Sequence, residues 1–116
     1  MTNSNIIFER EIIWRGYNSD NLECQIAKEQ WESHVAKRPE IANALELVIQ
    51  AMLNPERIEP DKNRPDEPMR RFRLFTVSGC GEWEGYQLKV SVKYVRQITG
   101  DWIKFYQSCW YERKRG

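Results

Sequence analysis

One histidine, His34, serves the whole 116-residue chain, and it lies in the run Trp31-Glu32-Ser33-His34-Val35-Ala36-Lys37-Arg38-Pro39-Glu40-Ile41. Imidazole titrates near neutrality, so it can take and give a proton there. Lys37 and Arg38 follow within one turn, and cations so placed stabilise a phosphate whose charge grows in a transition state. This pairing suits metal-free cleavage of RNA. A base takes the 2′-hydroxyl proton, an acid serves the leaving 5′-oxygen, and cations hold the pentavalent phosphorus. The plain alternative stands beside it. Trp31, His34, Val35 and Arg38 share one helical face by three-and-four spacing, and a histidine beside a tryptophan is then a half-buried helix residue held by a hydrogen bond.

A second set of polar residues lies further on. Tyr86 to Val95 alternates strictly, with Leu88, Val90, Val92 and Tyr94 on one face and Lys89, Ser91 and Lys93 on the other. Neighbouring strands can add Arg71 and Arg73, and either Tyr106 and Ser108 or Gln107. Lysines two apart on a strand face stand about 7 Å apart, near the phosphate spacing of a single nucleic-acid strand; the alternative is an ordinary solvated face. The carboxylates are dispersed, which argues against a two-metal centre. Cys24, Cys80 and Cys109 show no C-x-x-C spacing; they read as idle thiols in a reducing cytosol, not as a zinc site or disulfide framework. No metal and no cofactor is expected.

The elements that position these residues follow from pattern. Ile6 to Trp14 reads as a strand ending in the turn-prone Gly16-Tyr17-Asn18-Ser19-Asp20, and Leu22 to Ile26 as a short second strand. Ala27 to Lys37 turns helical, and Arg38 before Pro39 disfavours its continuation. Pro39 suits the first position of a new helix, with Glu40 favourably near its N-terminus. Ile41, Leu45, Val48, Ile49 and Met52 then form an apolar stripe that ends at Asn54-Pro55. Ile58 lies in a brief extended piece, and Pro60 to Pro68, with three prolines, reads as a loop. Strands are expected over 70–78, 86–96 and 102–112, with Thr99-Gly100-Asp101 as the last turn. Short turns imply an antiparallel meander, and helices at 27–37 and 39–53 pack on one of its faces. The class is α+β.

Length and composition bound the rest. The chain is the size of a single domain, 1–116, with 1–24 as an N-terminal strand and extension and 25–112 as the core. Its 41% hydrophobic and 30% charged residues are ordinary for a globular protein, and the formal net charge of +1 does not mark a nucleic-acid binder. A phosphate responds to a local patch, not to the sum. Five tryptophans and five tyrosines supply core area and a potential recognition face. The opening residues lack the pattern of a signal peptide, and no apolar run is long enough to span a bilayer. A cytoplasmic protein without a membrane role is expected.

The pattern Trp31-x-x-His34-x-x-x-Arg38-Pro39-Glu40-Ile41, then a helix ending in Asn54-Pro55-x-x-Ile58, then a basic meander, resembles the barnase–EndoU–colicin–RelE-like (BECR) nuclease superfamily. The similarity is greatest to its phage and mobile-element branch and covers roughly residues 25 to 112. It implies two N-terminal helices packed on a four-stranded or slightly larger, mainly antiparallel sheet, and metal-independent RNA endonuclease activity. By the same resemblance the catalytic candidates are His34 and Arg38, Lys89 or Lys93 from the basic strand, and Tyr106 or Ser108 from the last strand. Trp31, Lys37, Arg71 and Arg73 become the candidate RNA contacts. Its implied partners are RNA and an inhibitor or antitoxin protein, with the chain acting as a toxin or a defence or mobile-element effector. A catalytically silent RNA- or protein-binding module on the same scaffold is the competing reading.

Overall fold

A computed structural model describes residues 11–114. The hairpin of β1 (Ile12–Tyr17) and β2 (Glu23–Ala27) comes first and runs directly into α1 (Lys28–Lys37). A 3-10 turn, Pro39–Ile41, leads to α2 (Leu45–Leu53), followed by β3 (Arg57–Pro60), β4 (Arg70–Ser78), β5 (Tyr86–Arg96) and β6 (Trp102–Arg113). The architecture is α+β. The part of the first expected strand before residue 11 lies outside the described residues.

Among the described residues the sheet holds six strands, in the order β1-β2-β6-β5-β4-β3, not four. Every neighbouring pair is antiparallel except β2 and β6, which run parallel through Glu23↔Ile103, Cys24↔Lys104 and Gln25↔Phe105. The hairpin at the start of the chain is therefore joined to the meander by the last strand. Strand patterning signals elements and tight turns, but a pairing across about 80 residues leaves no local mark, which is why the sheet is larger and more mixed than the resemblance implies.

The expected second helix is divided. Pro39 fixes the turn Pro39–Ile41, and the α-helix starts only at Leu45. The apolar stripe survives the division: Ile41, Val48 and Met52 are fully buried, and Leu45 and Ile49 pack at the rim of the core. α2 lies on β4 and β5, and α1 on β2 and β6, so both helices cover one face. Phe75, Val77, Leu88, Val90, Val92 and Cys109 meet them. Burying each such large apolar side chain contributes about 1.5–3 kcal/mol.

β6 carries a bulge. Ser91 pairs with Ser108, but the next residue, Val92, pairs with Tyr106, so Gln107 is the extra residue. A one-residue insertion reverses the alternation beyond it. Tyr106, Lys104 and Trp102 consequently share the helix-bearing face with Cys109 and Tyr111, while Ser108 and Trp110 fall on the other.

Candidate functional site

His34 occupies the last turn of α1, where a helix C-terminus favours positive charge, together with Lys37. Trp31, one turn earlier, anchors the helix: it is 8% exposed and meets the Tyr106 ring edge-on at 5.6 Å and 63°. The same tyrosine holds the histidine. Its Oη lies 3.3 Å from His34 Nδ1 and 3.4 Å from Cys109 Sγ, toward which it donates, and the two rings stand 5.9 Å apart at 77°. With the hydroxyl hydrogen given to sulfur, Oη accepts from Nδ1–H, and Nε2 keeps its lone pair. A second tie fixes the helix to the bulge, as Gln30 Nε2 donates to the backbone carbonyl of Gln107 at 2.6 Å.

The electrostatics favour a neutral pair. Partial burial lowers the pKa of His34, and the positive charges of Lys37 and Arg38 lower it further. Burial pushes the Tyr106 phenol well above its ordinary value, and a further push comes from Cys109. Cys109 itself is raised to about 11, chiefly by burial. Lys37 and Arg38 are exposed beside this pair.

The remaining expected residues do not converge there. Lys89, Lys93 and Ser108 are on the opposite face of the sheet from Tyr106. Arg71 and Arg73, expected beside those lysines, have the helix-side parity instead, because Arg73 pairs with Val92 and Arg71 with Tyr94. Arg73 stands two strands from Tyr106, about 10 Å by strand spacing, and is gripped by both oxygens of Asp66 at 2.7 and 2.9 Å. Asp66 is thereby held below the usual carboxylate range. Arg71 stacks over Trp102 at 4.3 Å. Lys89 is nearly buried and bonds Glu59 at 2.6 Å. Trp31 is turned inward and acts as packing, not as an exposed stacking platform.

Two features escaped the sequence pattern. The Pro-rich loop lies across the sheet face away from the helices, where Arg64 donates to Gln107 Oε1 and places its guanidinium 5.8 Å over Phe72. Lys104, fully buried, bonds Asp20 at 2.7 Å and stands over the rings of Phe75 and Tyr94 at 5.6 and 5.2 Å. A lysine at a strand position shows no sign in the sequence that it will be buried. Among the described residues, no three His, Cys, Asp or Glu side chains gather as metal ligands, and no helix is long and apolar enough to cross a membrane. No family model matches the chain, and neither does any curated protein or solved structure.

Proposed function

We propose that the protein is a metal-independent RNA endonuclease of BECR type, with His34 as its proton-transfer residue. The observation that carries this reading is the hydrogen bond of His34 Nδ1 to buried Tyr106 beside exposed Lys37 and Arg38. A base oriented by a second side chain and flanked by cations is the arrangement such chemistry needs. His34 Nε2 takes the proton of a ribose 2′-hydroxyl, the 2′-oxygen attacks phosphorus, and the bond to the 5′-oxygen breaks. Solvent protonates the leaving oxygen, and a 2′,3′-cyclic phosphate remains. Arg38 and Lys37 hold the non-bridging oxygens, and Tyr106 acts as a positioning residue. An inhibitor protein covering the exposed end of α1 would keep such an activity in check.

The test is cleavage of a mixed RNA pool by purified protein in excess EDTA. Cyclic ends and a loss of about 100-fold in His34→Ala are expected. Full activity of that variant removes the histidine from the reaction.

A second reading, the silent RNA- or protein-binding module, is favoured by the pairing of Lys89 with Glu59 and Arg73 with Asp66 on faces that the sheet separates. It predicts RNA retained in an anisotropy titration with no cleavage by the wild type.

A further inference from the structure

The face turned away from the helices accumulates unmade hydrogen bonds. Ser91 Oγ and Thr76 Oγ1 are buried without a partner, in residues each 3% exposed. Removing a hydroxyl from water without replacing its hydrogen bond is costly, so such an atom calls for an explanation, and a ligand is one. Both lie in one patch. Thr76 pairs with Lys89 and Lys89 with Trp110 in one row across the strands, while Ser91 pairs with Ser108 in the next.

Two cavities open on this patch. One, of about 210 Å³, is bounded by Ser91, Ser108 and Trp110 from the sheet and by Asp61, Asn63 and Arg64 from the overlying loop. The Asp61 carboxylate is occupied by the Asn63 amide at 3.0 Å. The other, of about 630 Å³, brings five cations, among them Lys62, Lys89 and Lys114, to three carboxylates. All three carboxylates are already engaged, Glu59 by Lys89, Glu56 by Ser78 and Glu112 by the indole N–H of Trp110. The first cavity thus offers hydroxyls and an indole, and the second offers net positive charge. Ser91 and Lys89 are two residues apart on one strand face, about 7 Å, which is the scale separating a sugar from the phosphate beyond it.

We propose that this face binds a nucleoside monophosphate. Ser91 and Ser108 meet the sugar hydroxyls, Trp110 flanks the base, and the exposed Lys62 receives the phosphate, backed by Lys89 from its pair with Glu59. The site owes nothing to His34, from which the sheet divides it, so either assignment can fail without the other.

Calorimetric titration of the full chain with adenosine 5′-monophosphate, adenosine and inorganic phosphate tests it. The wild type binds the monophosphate more tightly than either fragment. Ser91→Ala weakens the monophosphate and adenosine about tenfold while its Tm stays level or rises, because an orphaned hydroxyl is gone. Lys62→Gln, at an exposed loop position, weakens the monophosphate and phosphate but not adenosine. His34→Ala leaves all three unchanged. Absence of binding at millimolar monophosphate, phosphate binding as tightly as the monophosphate, or an unaltered Ser91→Ala isotherm overturns the proposal.

Discussion

At the level of single residues, His34 links stability to pH in a definite direction. Its pKa in the folded protein lies below the ordinary value near 6.5. As pH falls through about 6.5 the unfolded chain takes up a proton that the folded chain refuses, so stability is lost from there down to the folded pKa. The urea midpoint should therefore fall between pH 7.5 and pH 5.5, and His34→Gln should flatten that slope; an unchanged slope refutes the assignment. Tyr106→Phe keeps the ring contacts with Trp31 and His34 but removes the hydroxyl. If Tyr106 positions the base, cleavage falls about tenfold and the acid limb of the rate profile shifts while KM for RNA holds. The buried Lys104 depends on Asp20, whose side chain is 48% exposed. Asp20→Asn leaves that ammonium without a counter-charge and should cost about 2 kcal/mol in urea denaturation, less than for a fully buried pair because water partly screens the site.

Among the elements, what the sequence made legible was whatever has a local cause. Arg38-Pro39 stops α1 where the proline rule puts it, and the expected strands at 70–78 and 86–96 coincide with β4 and β5. Period-two alternation also places Lys89, Ser91 and Lys93 together on the face away from Val90 and Val92. It fails at Gln107, because a bulge is an irregularity in partnership that one strand's pattern does not record. Tyr106 and Ser108, two apart, look like neighbours on one face and are not, and the candidate site divides there. The link between β4 and β5 offers a sharper check on geometry. A Cβ on Gly79 would meet the backbone carbonyl oxygen of Trp83 at 2.4 Å, where a neighbouring 3-10 turn sets Trp83 in a parallel stack on Tyr111 at 4.0 Å. Gly79→Ala should cost about 2 kcal/mol in urea denaturation, and a loss of near-ultraviolet tryptophan dichroism should accompany it.

For the molecule as a whole, the sheet acts as a partition between the two proposed sites. Residues far apart with no shared partner contribute independently. On RNA retention measured by anisotropy, the effects of His34→Ala and Lys89→Gln should therefore add within about 0.5 kcal/mol; a larger coupling would place both in one site. Neither face was legible as a unit in the sequence, since which strands adjoin is settled by contacts between distant segments, such as Cys24 with Lys104. The parallel seam has one more consequence, for the order in which the chain is made. β6 stands between the hairpin and the rest of the sheet, so a nascent chain that has extended only through β5 possesses two strand groups with a vacant lane between them. Translation delivers the N-terminal part first, yet the sheet closes only when its last strand threads into that lane. Until then, the flanks of β2 and β5 offer unpaired backbone to any extended segment nearby, and the emergence of β6 decides whether the protein acquires a single sheet.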